Sequence, residues 1–159
     1  MSKSQTCFGP ENYAEAIAQA EVRYAKLLFI VGRSGAGKTA LLHTVAEHFK
    51  IPFVNLGLEL SRRLLPLNIR ERKLRAADLI ADMFDEINSS RIAVDNTEII
   101  FDAVLELNPV GLLEKLSRTR LLVWSWNGKL DDGHVTYGEP GHREYRRMAT
   151  DRITLITLE

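Results

Sequence analysis

Cysteine is almost missing from this chain of 159 residues; Cys7 is the only one. No internal disulfide can form, and the composition suits a reducing cytoplasm, the expected location. The histidines do not fill the gap. His43, His48, His134 and His142 have no zinc-ligand spacing and no cysteines to join them. No apolar run approaches membrane-spanning length and no signal-peptide core follows Met1, so no membrane partner is expected. Net charge is missing too. Lys and Arg number 21 and Asp and Glu number 21, so no global field draws the protein to nucleic acid or to an anionic surface. Internal repeats and low-complexity tracts are likewise absent.

What remains is ordinary globular material, 45% hydrophobic and 26% charged, long enough to bury a core as one domain over 1–159. Residues 1–10 are polar, with Gly9-Pro10, and read as a flexible lead-in. Residues 11–25 are alanine-rich with Tyr13, Ile17, Ala20 and Tyr24 on one stripe, the spacing of an N-terminal helix. Apolar runs at Lys26–Val31, Pro52–Leu56, Arg91–Asp95 and Leu121–Trp126, with a closing run at Arg152–Leu158, predict strands. Helical spacing falls between them. One helix spans about Leu58 to Leu65 and ends before Pro66; a longer one spans Ile69 to Ile87 with Leu74, Ala77, Ile80, Phe84 and Ile87 inward. More helical material, broken at Asn108-Pro109, leads to Arg120. Residues 127–141 are rich in Gly, Asp and Pro and predict a loop, with a short helix at His142–Met148. Strands alternating with helices imply an α/β fold, a parallel sheet with helices on both faces and ligands outside the carboxyl ends of the strands.

At the end of the first apolar strand stands Gly32-Arg33-Ser34-Gly35-Ala36-Gly37-Lys38-Thr39, which fits G-x-x-x-x-G-K-[ST]. The glycines allow a turn sharp enough for successive N–H groups to surround an anion. Lys38 then supplies a point charge for the outer phosphates and the Thr39 hydroxyl a ligand for Mg²⁺. The segment after it, Thr39–Phe49, has Leu41, Leu42, Val45 and Phe49 on one helical face, so strand, glycine loop and helix follow in the required order. The implied ligands are ATP and Mg²⁺.

Other residues belong on the same rim. Asp95 ends an apolar strand, where an acid holds Mg²⁺ directly or through water, or caps a helix. The next residue, Asn96, is an amide that cannot accept a proton; Glu98 is the nearest acid, as a base or as a cap. Asn127 either reaches the γ-phosphate or forms a turn with Gly128. Trp124 and Trp126 share a sheet face and read as core. Arg143, Arg146 and Arg147 lie before the last strand, as a finger reaching a neighbour's γ-phosphate or as a solvated basic turn. Arg62, Arg63, Arg70, Arg72, Lys73 and Arg75 form a basic cluster, either a phosphate-binding face for DNA or a solvated helix face.

The Gly32–Thr39 loop, the Ile92–Asp95 strand and the Leu121–Asn127 strand together resemble the core of AAA+ ATPases, particularly the initiator-like branch. The resemblance implies a three-layer P-loop NTPase with a five-stranded parallel sheet in the order 5-1-4-3-2. It implies Asn127 as nucleotide sensor, Arg146 or Arg147 as the finger, and a homo-oligomer with ATP at subunit boundaries. The chain departs from that family in stopping at the fifth strand, without the helical lid, and in carrying Asn96 where the catalytic Glu stands. Val94-Asp95-Asn96-Thr97-Glu98, with the glycine loop and the near-terminal last strand, is also similar to the BrxF family of small P-loop proteins from type 3 BREX bacteriophage-defence systems. That resemblance implies an accessory ATPase working beside other phage-defence proteins. Two readings from other classes stay open: a small-molecule or nucleotide kinase, and a nucleotide-gated binding module with little hydrolysis, for which Asn96 is the motive.

Overall fold

Strands covered on both faces must be apolar along their whole length, and two segments meet that demand. All of β2 (Leu27–Gly32) is buried, and in β5 (Leu121–Asn127) Asn127 alone is not. The computed structural model describes residues 6–158 and pairs these two strands in parallel at the centre of a six-stranded sheet. With β1 (Cys7–Phe8), β3 (Phe53–Asn55), β4 (Arg91–Asp95) and β9 (Thr154–Thr157), the order across the sheet is β1-β9-β2-β5-β4-β3, every pairing parallel.

Side chains of successive strand residues alternate between faces, so each face builds its own core. On one face Leu27, Phe29 and Val31 pack with Trp124 and Trp126 against α3 (Leu56–Leu64), α4 (Ile69–Ile87) and α5 (Pro109–Leu116). On the other, Leu28 and Ile30 pack with Val123 against α1 (Tyr13–Glu21) and α2 (Lys38–Phe49). The protein is thus an α/β structure with helices on both sides of a parallel sheet. Both tryptophans are core residues, Trp124 fully buried and Trp126 stacked 5.1 Å from Phe29.

Helix starts follow local chemistry. The Asn55, Asn68 and Asn108 side chains accept from the backbone N–H groups of Leu58, Glu71 and Gly111, at 3.1, 2.9 and 3.2 Å. Glu71 returns the bond to the Asn68 N–H, closing a capping box. Pro109 occupies the first turn of α5, where a missing N–H does no harm.

Several segments differ from the sequence expectation. The sheet has six strands rather than five, because Cys7–Phe8, within the supposed lead-in, pairs beside β9; residues 1–5 of that lead-in lie outside the described residues. The N-terminal helix is shorter than 11–25, with a 3₁₀ turn at Pro10–Asn12 before it, and Tyr24 lies beyond its end, 82% exposed. In α4 the buried stripe is Ala76, Leu79, Ile80, Met83 and Phe84, whereas Leu74 and Ala77 are exposed. The helix ends are as expected, and Ile80 and Phe84 face inward as expected, but Ala76, Leu79 and Met83 complete the buried stripe in place of Leu74 and Ala77. The largest correction concerns 127–148. The expected loop and short helix form a second, antiparallel sheet of β6 (Lys129–Asp131), β7 (His134–Tyr137) and β8 (Arg146–Ala149). Gly133, with φ +69°, turns the β6–β7 hairpin, and the Trp126 Nε1–H donates to the Thr136 carbonyl at 3.0 Å, fastening this sheet to β5.

Candidate functional site: a glycine-lined cleft on the carboxyl rim

Register alone gathers the polar strand ends. Gly32 is paired with Asn127 across β2 and β5, and Asn55 with Asp95 across β3 and β4. Parallel strands end on the same rim, so these four residues from distant parts of the chain form one row. The glycine loop rises from that row into α2. Gly35 and Gly37 have φ of +84° and +98°, a region that a side chain resists, so glycine is required there. Gly32 is constrained differently: an added Cβ would lie 3.1 Å from the Ala36 Cβ.

Beneath the loop is a cleft of about 710 Å³ lined by Ser34, Gly35, Gly37, Lys38, Thr39, Ala40, Asp95, Asn96, Glu98 and Asn127. Its volume is that of a small-molecule site. Lys38 Nζ donates to the Arg33 carbonyl at 2.7 Å and to Asn127 Oδ1 at 3.4 Å. Burial pushes the Lys38 ammonium below its usual pKa, although Glu98 and Asp95 pull the other way. A desolvated cation there gains more from an incoming anion than a surface lysine would. The Thr39 hydroxyl donates to Asp95 Oδ2 at 2.8 Å. Hydroxyl and carboxylate so close together suit Mg²⁺, a hard ion that takes few protein oxygens and completes its shell with water and phosphate. No group of three or more acidic, histidine or cysteine side chains suited to a metal exists among the described residues.

The structure brings most of the candidate residues together and leaves others apart. Ser34, Gly35, Gly37, Lys38, Thr39, Asp95, Glu98 and Asn127 share the cleft, with Gly32, Arg33 and Ala36 forming the rest of the loop above it. Arg146 and Arg147 are on strand β8, not in a loop or helix, and neither lines this cleft. Arg146 donates to the carbonyls of Arg143 and Tyr145 at 3.2 and 2.8 Å, and Arg147 lines a different cavity. In the basic cluster, Arg62 pairs with Glu59, Arg63 with Glu86 and Lys73 with Glu106, while Arg72 donates to the Leu64 and Leu67 carbonyls. Only Arg70 and Arg75 of that group lack a partner among the described residues.

Two features of the rim escape sequence reasoning. Asn96 sits at φ +53° and turns its amide to Asn55, donating Nδ2–H to Oδ1 at 2.9 Å, while its carbonyl accepts from Gly57 N at 2.9 Å. A Cβ at Gly57 would overlap the Asn96 amide, so the first turn of α3 is fitted against this residue. Tyr137 of β7 stacks on Phe101 at 3.9 Å, on the 3₁₀ turn Glu98–Phe101. Burial raises its phenol pKa, and Glu144 and Glu98 add to the rise. Asn-Leu-Gly after a strand was a signal for the first feature; the second depends on a sheet that no periodicity announced.

The fold and this rim define an α/β protein with a glycine-lined, lysine-bearing cleft at the carboxyl ends of its central strands. Comparison with protein-family models, with curated proteins and with solved structures returns no significant match.

Proposed function

We propose that the chain is a P-loop nucleotide-binding protein that takes ATP with Mg²⁺ in the Gly32–Thr39 cleft and hydrolyses it slowly. The observation that carries this reading is the convergence of Lys38, Thr39, Asp95 and Asn127, from three segments, on one cleft at the sheet rim. Lys38 would meet the outer phosphates, Thr39 and Asp95 would hold Mg²⁺, and Asn127, tied to Lys38, would read the γ-phosphate. Bound Mg²⁺ would neutralise phosphate charge as the terminal bond breaks. Glu98 is the carboxylate left to take a proton from water, since the Asn96 amide has no such capacity and is engaged by Asn55. That arrangement favours slow turnover.

The resemblance to AAA+ cores supports a homo-oligomer with nucleotide between subunits, and the resemblance to the BrxF family supports cytoplasmic work beside other phage-defence proteins. Among the described residues no helix is long and apolar enough to cross a membrane, which agrees with that setting. Most of the Arg62–Arg75 cluster is engaged within the chain, so DNA contact through it is not part of the proposal.

Phosphate release from ATP, measured without any acceptor, tests the reading. Lys38→Ala should abolish Mg²⁺-dependent ATP binding in the glycine-loop cleft, and Asp95→Asn should remove Mg²⁺-dependent release while leaving the fold intact. Turnover seen only with an added acceptor would identify a kinase instead. Mass in solution with and without ATP tests assembly, and a monomer in both conditions defeats the shared-site part.

A further inference from the structure

A second cavity, of about 660 Å³, opens on the opposite rim of the sheet, at the amino ends of β2 and β9 where Leu27 and Ile153 form its floor. Strand β2 has six residues, so roughly 20 Å of strand separates this cavity from the glycine loop. Four arginines stand around it: Arg23 before β2, Arg118 before β5, Arg147 on β8 and Arg152 before β9. None of the four pairs with a carboxylate among the described residues, although Glu114 and Asp151 also line the wall. Elsewhere on this chain of zero net charge, arginines such as Arg63, Arg91 and Arg120 close 2.6 to 2.7 Å ion pairs. Arg23 donates to the Asp151 backbone carbonyl at 3.3 Å, and the Arg118 guanidinium lies 5.9 Å over the Tyr24 ring.

Four guanidiniums against the two carboxylates of Glu114 and Asp151 leave a surplus of positive charge around the hollow, which favours an anion. The floor is not polar. Leu27, Met148 and Ile153 are buried core residues whose edges reach the cavity, and Tyr24 stands beside them with 82% of its surface exposed. A small inorganic anion would leave that apolar floor wet, and an uncharged ring would leave the arginines unsatisfied. The volume lies in the range that takes a small organic ligand. We propose that this cavity is a second ligand site, for a nucleotide unit, with its flat base against the apolar floor and Tyr24 and its phosphate on the arginines. Free mononucleotide and one residue of a single strand supply the same chemistry. This site is separate from the glycine-loop cleft and does not rest on that cleft's assignment.

The test uses the full chain carrying Lys38→Ala, which silences the proposed first site, and calorimetric titration with AMP, with inorganic phosphate and with a ten-residue oligothymidylate. AMP or the oligonucleotide should bind with a dissociation constant below about 1 mM, and inorganic phosphate at least about tenfold more weakly. Adding Arg118→Ala and Arg152→Ala, both exposed positions, should weaken that binding about tenfold or more, and Tyr24→Ala should weaken AMP more than phosphate. Circular dichroism on each variant checks folding, and Arg118→Lys with Arg152→Lys gives a charge-preserving control if the alanine pair fails to fold. Binding of AMP identifies a free-nucleotide site; binding of the oligonucleotide alone identifies a strand site. No binding of either to the Lys38→Ala protein, equal binding of phosphate and AMP, or affinity unchanged by the arginine substitutions would each overturn the proposal. Failure of Lys38→Ala to alter ATP binding by the parent would count against the glycine-loop reading only.

Discussion

Lys38 is the residue whose surroundings say most about its use. Burial holds its pKa below the ordinary 10.5 in spite of two nearby carboxylates, so desolvation outweighs their attraction. The sign of the consequence can be worked out. A phosphate beside Lys38 favours the ammonium, so binding is at full strength where Lys38 is already protonated and takes up a proton where it is not. Nucleotide affinity should therefore be level through neutral pH and fall as pH rises through the lowered Lys38 value, before 10.5 is reached. Arginine stays charged throughout, so Lys38→Arg should bind more weakly at neutral pH but lose the alkaline fall. Binding titrations from neutral to alkaline pH compare the two profiles, and a parent curve level up to 10.5 would contradict the argument. Stability follows the same linkage. The unfolded chain keeps the Lys38 proton to higher pH than the folded one. The burden of the buried ammonium is therefore present in full at neutral pH and is relieved as pH climbs from the folded-state value to 10.5.

Helix α3 joins the cleft to the second layer through its cap. Asn55 accepts from Leu58 N at 3.1 Å and from Asn96 Nδ2 at 2.9 Å, whereas Asn108 caps α5 without serving a second donor. Replacing either with alanine should destabilise the protein by about 1 kcal/mol, as helix caps do, with Asn55→Ala the larger because it also frees Asn96. Asn68→Ala should come close to Asn108→Ala, since the Glu71 carboxylate keeps its bond to the backbone N–H of position 68. Denaturant midpoints of the three variants give the order, and a smallest loss for Asn55→Ala would remove the case for the Asn55–Asn96 link. Elements of this kind were unevenly legible in the chain. The apolar runs of β2, β4 and β5 and the glycine loop stand out because burial on both faces and a sharp turn leave few alternatives. The second sheet did not stand out. Strands β6 and β7 are three and four residues long, β6 is exposed throughout, and they are held by the Gly133 turn, by the Trp126 bond to the Thr136 carbonyl and by the stacking of Tyr137 on Phe101, which lies far back in the sequence. The α4 stripe is ambiguous in the sequence because Leu74 has the chemistry of a core residue and yet is exposed, a choice that tertiary packing makes and periodicity does not.

Taken as a whole, the protein has two charged cavities at opposite ends of the same central strands, and the two differ in how the chain encodes them. The glycine-loop cleft is drawn by a local motif. The arginine cavity joins residues 23, 118, 147 and 152, which no spacing connects; the parallel sheet brings three of them to one end and the antiparallel sheet supplies Arg147. A ligand that binds the folded chain alone must stabilise all of it. At a nucleotide concentration one hundred times the dissociation constant the gain is about 2.7 kcal/mol. For a chain of 159 residues that gain corresponds to a rise in melting temperature of roughly 5 to 11 °C. With ATP and Mg²⁺, Lys38→Ala should lose most of this rise, and the Arg118→Ala, Arg152→Ala pair should keep it. With AMP the pattern should reverse. The crossing of the two variants against the two ligands is the informative result. If each substitution reduced both shifts equally, the two cavities would be answering to one site. If neither substitution changed either shift, both cavities would be spectators to nucleotide binding elsewhere.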